Sequence, residues 1–224
     1  MSTKIGIISE GPIDNILLPA LLERIAADKA GFTWPLDATD VAQHFPLRKR
    51  GHGGVLETVR ALITALDTQH FDHACFVIVL DRKTEEVRKA IAHLILGRDR
   101  FVLGVAIEEI EAWWLGDRPN TFAWTNLRPN TLPEGIQYAR DDYKAEEDPR
   151  PKKTLDKLTC ISDRFDRSYG EGNADMAADF ADRFWKRGAN LDAIAVQCPR
   201  GFGRFQKAMA NAFRRAKARS SSRA

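Results

Sequence analysis

Short apolar runs alternate with longer segments of helical periodicity along the first half of the chain. Apolar runs predict strands at residues 5–9, 74–80 and 101–107, with a weaker strand at 38–45. Apolar positions spaced three and four apart predict helices at residues 12–30, after Gly53 and Gly54, and at 84–96. Strands that alternate with helices indicate an α/β fold with a mainly parallel four-stranded sheet flanked by helices.

The pattern changes at about residue 117. Residues 117–151 are rich in proline and loop-forming residues, and helical periodicity returns at 153–158, 174–186 and 205–219. We predict an α/β core over residues 1–116, a loop-rich and then helical extension over 117–219 that packs on this core, and a disordered tail at 220–224.

Composition narrows the class of protein. Of the 224 residues, 44% are apolar, which is enough for a substantial core. No run of eighteen apolar residues predicts a membrane span, and Glu10 and Asp14 interrupt the first apolar segment before a signal peptide can form. Cys75, Cys160 and Cys198 show no metal-binding spacing. We expect a cytoplasmic protein with no membrane association.

The net charge of +3 is unevenly distributed. Residues 193–224 contain eight basic side chains and no acidic one, so residues 1–192 carry a net charge of −5. A polyanionic partner for the C-terminal segment and a solvated basic tail explain this asymmetry equally well.

Acidic side chains follow three of the predicted strands at the point where each strand ends. They are Glu10, with Asp14 one helical turn later, then Asp81, and then Glu108, Glu109 and Glu111. The carboxyl ends of parallel strands meet at one edge of the sheet, where ligands bind, so these acids are expected to cluster there. Clustered carboxylates need a compensating cation, and oxygen ligands suit Mg²⁺ or Mn²⁺. Alternatively, each acid interacts with the positive end of the helix that follows it.

Glu111 has a further property. In a helix over residues 108–115, Glu111 falls on the apolar side, beside Ile107, Ile110 and Trp114. A charge in that position requires a partner, and a metal ion, an arginine or a lysine would serve. The adjacent Trp113 and Trp114 are predicted to be packing residues.

Two basic segments are candidates for nucleic-acid contact. Arg48, Lys49 and Arg50 precede a glycine-rich helix start, where they could hold phosphates, although an ordinary polar loop has the same composition. Arg200, Arg204 and Lys207 alternate with Phe202 and Phe205. The two phenylalanines could stack on bases, but anchoring the last helix in the core is the favoured interpretation.

Several motifs carry a family resemblance. The sequence EGPID at residues 10–14 and LDRK at 80–83 resembles the TOPRIM-like proteins, which include primases, type II topoisomerases and nucleases of the overcoming-lysogenization-defect kind. The segments AIEEIEAWWLGD, EEDPRPKKTL and CPRGFGRFQKAM are similar to those of a bacterial family of unknown function with a TOPRIM-like core.

The resemblance implies a TOPRIM/Rossmann-like fold and a set of site residues. Glu10, Asp14 and Asp81 correspond to metal ligands, and Glu109 or Glu111 would complete the site. Lys83 stands where the family pattern has a second aspartate, so it could contact a phosphate or mark a lost metal site.

The leading hypothesis is a Mg²⁺- or Mn²⁺-dependent nuclease that acts on DNA or RNA. The resemblance also implies a role in anti-phage defence. Glu10, Asp81, Lys83 and Glu111 are its candidate catalytic residues. Because the chain has no Walker motif, the resemblance implies a separate ATPase partner. The competing hypotheses are a catalytically degenerate module that binds nucleic acid or protein, and a phosphatase that acts on small molecules.

Overall fold

The computed structural model describes residues 2–32, 35–45, 51–69, 71–81, 85–169, 174–186 and 188–221. Within these ranges the strands are β1 (Thr3–Ile8), β2 (Leu36–Asp40), β3 (Cys75–Asp81) and β4 (Phe101–Ala106). They form one sheet in the order β2-β1-β3-β4, and every neighbouring pair is parallel. The predicted fold class, an α/β protein with a parallel four-stranded sheet flanked by helices, is confirmed.

Nine α-helices lie in the described ranges. They are α1 (Pro12–Ala30), α2 (Gly51–Thr68), α3 (Glu85–Leu94), α4 (Glu111–Leu115), α5 (Arg118–Thr125), α6 (Pro151–Ile161), α7 (Ala174–Phe180), α8 (Leu191–Gln197) and α9 (Arg204–Ser221). Two π-helical segments adjoin them, Ala181–Lys186 after α7 and Pro199–Gly203 before α9. No described helix is long and apolar enough to cross a membrane.

Both faces of the sheet are covered. Alternate residues of β3 point to opposite faces, so Phe76 and Ile78 pack with α2 and α3, whereas Val77 and Val79 belong to the core on the other side. All six residues from Cys75 to Leu80 are buried. This two-sided burial explains why the strand is a continuous apolar run rather than an alternating one.

The predicted extension shares a core with the sheet. The larger buried cluster contains Ile5 and Val77 of the sheet together with Trp113, Phe180 and Phe205. Helix α9 lies across β4, where a Cβ on Gly104 would come within 2.7 Å of the Phe205 ring. One face of the sheet is therefore covered by α1 together with residues that follow position 116.

Several element boundaries differ from those predicted. Helix α4 begins at Glu111 rather than 108, because Glu108 has a left-handed φ of 67° that an α-helix does not allow. The stretch predicted as loop contains α5, since a proline in the first turn, Pro119, is compatible with a helix start. Strand β2 ends at Asp40, and residues 41–44 form a 3₁₀ turn.

The end of the chain also differs. Helix α9 continues to Ser221, so the first two residues of the predicted disordered tail are helical. Residues 222–224 lie outside the described ranges.

Candidate active site

The parallel pairing of β1 with β3 brings Glu10 and Asp81 together. Ile8, the last residue of β1, pairs with Ile78 of β3, so both strands end at the same edge. The main-chain N–H of Asp81 donates to Glu10 Oε1 at 3.0 Å. The two acids predicted to end neighbouring strands are therefore adjacent.

Asp14 lies in the first turn of α1, where it has two roles. Its Oδ2 accepts a hydrogen bond from the N–H of Gly11 at 3.2 Å, which is the local role that any first-turn acid can have. Burial, together with the charges of Glu111 and Glu10, nevertheless raises the pKa of Asp14 to about 7. The Asp14 carboxyl group therefore interacts with a cluster of acids at this edge of the sheet as well as with the helix start.

Asp81 is the centre of this cluster. Burial raises the pKa of Asp81 to about 8, and the charges of Glu10, Asp14, Glu111 and Glu109 add to the effect of burial, in that order. These acids come from the ends of three different strands. We name Glu10, Asp14, Asp81, Glu109 and Glu111 the acidic cluster.

Glu111 is buried, with 7% of its surface exposed, and its partner is Tyr169. The Tyr169 hydroxyl donates to Glu111 Oε1 at 2.8 Å. Burial raises the pKa of Glu111, while the bond from Tyr169 and the positive charge of Lys152 oppose that rise. The sequence predicted that Glu111 needs a partner, but it gave no indication of a tyrosine 58 residues away.

Glu109 is held by the extension. Its Oε2 accepts a hydrogen bond from the main-chain N–H of Lys152 at 3.1 Å, in the first turn of α6. A carboxylate at a helix N-terminus is stabilised by the unpaired N–H groups and by the helix dipole. The extension therefore contributes to the edge of the sheet on which the acidic cluster lies.

The start of α6 is fixed by the EEDPRPKKTL segment. Asp148 accepts hydrogen bonds from the Arg150 N–H at 2.8 Å, the Thr154 hydroxyl at 2.6 Å and the Tyr143 hydroxyl at 2.8 Å. An aspartate shortly before a proline that begins a helix is a helix-start signal readable from sequence. Its consequence for Glu109 was not predictable, because that contact spans 43 residues.

One further acid at this edge was missed by sequence analysis. Asp40 is the last residue of β2, and its Oδ2 accepts from Asn15 Nδ2 at 2.9 Å. The Ser9 hydroxyl donates to Asn15 Oδ1 at 2.8 Å. The end of β2 is thus linked to the first turn of α1, and a prediction that placed the strand end at residue 45 could not identify Asp40.

Arg200, one of the basic residues predicted to contact nucleic acid, has a structural partner in Glu146. Glu146 is 4% exposed, and its carboxylate accepts from the N–H and Nε of Arg200 at 3.1 and 3.0 Å and from the N–H of Gly201 at 2.5 Å. Phe202 and Phe205 are fully buried against Trp113, with ring centroids 5.4 and 5.2 Å away. Their alternative role as base-stacking residues is therefore wrong.

The basic residues of α9 fall into two groups. Arg204 and Lys207, near its start, are exposed. The later ones donate to main-chain carbonyls at the amino edge of the sheet: Arg214 to Lys29, Arg215 to Asp99, Lys217 to Gly31 and Arg219 to Ala74. The later group thus holds helix and strand ends at the edge opposite the acidic cluster.

The remaining predicted site residues are Lys83, Arg48, Lys49 and Arg50, and all four lie outside the described residues. Trp114 packs edge-on against Tyr169, with ring centroids 5.3 Å apart, and stacks on Phe180 at 3.8 Å, so it is a packing residue as predicted.

The donor chemistry of the acidic cluster fits a hard divalent cation, since every side chain in it offers carboxylate oxygen. In the described part of the chain, no three His, Cys, Asp or Glu side chains form a group that could hold a metal ion. Mg²⁺ is commonly held by one or two carboxylates, with water and substrate phosphate completing its shell. Glu10 and Asp81, which are adjacent through the bond from the Asp81 N–H to Glu10 Oε1, are the candidates for such a pair.

Comparisons of the chain with protein-family models, with curated proteins and with solved structures found no match. The chemistry of the acidic cluster is therefore the basis on which a function can be proposed.

Proposed function

We propose that this protein is a TOPRIM-type nuclease that uses Mg²⁺ or Mn²⁺ to hydrolyse phosphodiester bonds in DNA or RNA. The observation that carries the proposal is the meeting of acids from three strand ends, where Glu10 Oε1 lies 3.0 Å from the main-chain nitrogen of Asp81. Burial and four other carboxylates raise the pKa of Asp81 to about 8, which supports the same conclusion. Concentrating buried acids at a ligand-binding edge costs stability, and strongly shifted carboxyl groups of this kind are found mainly at functional sites.

Glu10 and Asp81 would hold the metal directly, and Asp14 and Glu111 would act on the water molecules that Mg²⁺ keeps in its shell. A bound divalent cation would polarise the phosphate and lower the pKa of the attacking water. Glu109, which is fixed by the N–H of Lys152, could take the place of Glu111.

The side chains themselves have definite roles in this proposal. The raised pKa values of Asp14 and Asp81 allow each carboxyl group to retain a proton near neutral pH and to lose it when a cation binds. Glu111, whose Oε1 accepts a hydrogen bond from the Tyr169 hydroxyl, would act as an additional metal ligand or as the general base that accepts a proton from water.

The resemblance to TOPRIM-like proteins supports further parts of the proposal. These are an ATPase partner and a role in anti-phage defence, while the composition of the chain favours a cytoplasmic location. Lys83 and the Arg48–Lys49–Arg50 segment would contact the phosphate backbone. Lys83 also favours the second candidate, a TOPRIM-like module that binds nucleic acid or a partner protein without cleaving it, because it replaces the second acid of the family pattern.

Replacement of Glu10 tests the cleavage activity. Glu10→Gln is expected to lower the rate of DNA or RNA cleavage in Mg²⁺ or Mn²⁺ by about a hundredfold or more, since it removes one carboxylate from the edge. Glu147→Gln is the matched control, because Glu147 is an exposed glutamate, and it should cleave like the wild type. A wild-type protein that binds nucleic acid but cleaves none in either metal would favour the second candidate.

Replacement of Arg204 and Lys207 tests the nucleic-acid contact. The double variant Arg204→Ala/Lys207→Ala should bind nucleic acid with a salt dependence whose slope is shallower by about two, since each phosphate contact contributes about one. The control is Arg214→Ala/Lys217→Ala, which removes bonds to the carbonyls of Lys29 and Gly31. This control variant should be less thermally stable and should keep the wild-type slope. If instead the control has the shallower slope and Arg204→Ala/Lys207→Ala keeps the wild-type slope, the contact is refuted.

A further inference from the structure

We propose that Tyr169 is a positioning residue of the acidic cluster, whose hydroxyl holds the Glu111 carboxylate in the orientation that serves a divalent cation. This inference rests on the proposed metal-dependent function. It assigns part of the site to the extension rather than to the α/β core.

The hydrogen bond between Tyr169 and Glu111 is short and shielded. The Tyr169 hydroxyl lies 2.8 Å from Glu111 Oε1, and the two residues are 3% and 7% exposed. A carboxylate at the start of a short helix can rotate about its side-chain torsions, and a fixed donor on one oxygen restricts that rotation. Partners that orient metal ligands in this way commonly change metal affinity when they are removed.

Tyr169 is itself held in place from two directions. Its N–H donates to Thr159 Oγ1 on α6 at 2.6 Å, and its ring packs edge-on against Trp114, 5.3 Å between centroids. Because Trp114 follows Glu111 by three residues in α4, the ring and the hydroxyl of Tyr169 contact the same short helix. The position of the hydroxyl is therefore determined by packing and not only by its bond to Glu111.

Helix α6 makes one of the contacts to Glu109 and Glu111 and supports the other. Its first turn donates to Glu109 through Lys152, and its Thr159 anchors the residue that donates to Glu111. The extension thus supplies one hydrogen-bond donor to each of two acids.

The chemistry of the donor is also suitable. A tyrosine hydroxyl satisfies one oxygen of a buried carboxylate without adding a positive charge that would compete with a cation. The opposite case is Glu146, whose buried carboxylate is neutralised by Arg200 and has a purely structural environment.

The test is Mn²⁺ binding measured by calorimetry with Tyr169→Phe, which removes the hydroxyl and retains the ring. The dissociation constant is expected to rise by about tenfold. Tyr138→Phe is the matched control, since Tyr138 is also buried but its hydroxyl donates to a main-chain carbonyl, that of Leu115, at 3.2 Å. Both variants should lose thermal stability, but Tyr138→Phe should bind Mn²⁺ like the wild type.

A double-mutant cycle tests whether Tyr169 acts through Glu111. In a Glu111→Gln background, Tyr169→Phe should cause no further loss of Mn²⁺ affinity. Unchanged affinity in Tyr169→Phe, or losses that add in the double variant, would overturn the inference while leaving the proposed function intact. A wild-type protein that binds no Mn²⁺ at millimolar concentration would overturn both.

Discussion

Replacing Asp81 with asparagine is expected to stabilise the protein at about pH 8.5 by on the order of 3 kcal/mol. Each unit by which the pKa of Asp81 is raised corresponds to about 1.4 kcal/mol, and the figure is reduced because neighbouring carboxylates share the rise in pKa. Most substitutions of partly buried residues destabilise, so a gain of this size would be distinctive. It follows from the repulsion within the acidic cluster, which an uncharged side chain of the same shape relieves.

The pH dependence gives this prediction its sign. The pKa of Asp81 is about 8 in the folded protein and about 3.8 in the unfolded chain. Between these values the native state retains a proton that the unfolded state has lost, so wild-type stability falls as the pH rises from about 4 to about 8. Asp14, with a pKa of about 7, contributes in the same direction. Asparagine does not titrate, so the advantage of the variant should vanish near pH 4 and be greatest above pH 8.

Urea unfolding at several pH values, with EDTA present, measures this effect. The control is Asp141→Asn, which changes an exposed aspartate in a loop and should alter stability by less than about 0.5 kcal/mol at any pH. An Asp81→Asn protein that is less stable than the wild type at pH 8.5, or whose advantage is the same at pH 4, would show that Asp81 is not in a repulsive environment.

Adding a single methyl group at Gly201 is expected to destabilise the protein by about 3 kcal/mol, because overpacking a rigid site forces the backbone to move. A Cβ there would lie 2.9 Å from the main-chain oxygen of Val105 and 3.2 Å from both Glu146 Oε1 and Trp113 Nε1. The Val105 oxygen belongs to β4, so it cannot move without disturbing the sheet.

The effect of Gly201→Ala should extend to the bond between Gly201 and Glu146, and therefore to the packing of Phe202 on Trp113. Thermal unfolding followed by near-UV circular dichroism would report both changes. Gly11→Ala is the matched control, since the nearest atom to its Cβ among the described residues would be Asp14 Oδ2, at 3.9 Å. Equal melting temperatures for wild type and Gly201→Ala would contradict the close approach described here.

The central strands of the sheet, β1 and β3, were predictable because they are covered on both faces. That burial produces continuous apolar runs such as residues 75–80, which sequence patterns detect directly. The positions of Glu10 and Asp81 were predictable for a related reason, since parallel strands must end at a common edge. The weakest strand prediction concerned β2, an edge strand whose residues are only partly buried.

The contributions of the extension to the site were not predictable from local patterns. Tyr169 contacts Glu111 and Lys152 contacts Glu109 across 58 and 43 residues, and neither pair has a spacing that a single element imposes. The contacts of the basic residues in α9 were not predictable either. Its charge is compatible with a polyanionic partner, but Arg215 and Arg219 donate to carbonyl groups of this same chain.

The central claim is that the acidic cluster binds a divalent cation through Asp81. Calorimetric titration of the wild type and Asp81→Asn with Mn²⁺ and Mg²⁺ at neutral pH tests it most directly. We predict that the wild type binds metal and releases protons to the buffer, because Asp14 and Asp81 must deprotonate, and that Asp81→Asn loses this binding. A wild type that binds neither metal at millimolar concentration, or a variant that binds as tightly as the wild type, would contradict the account.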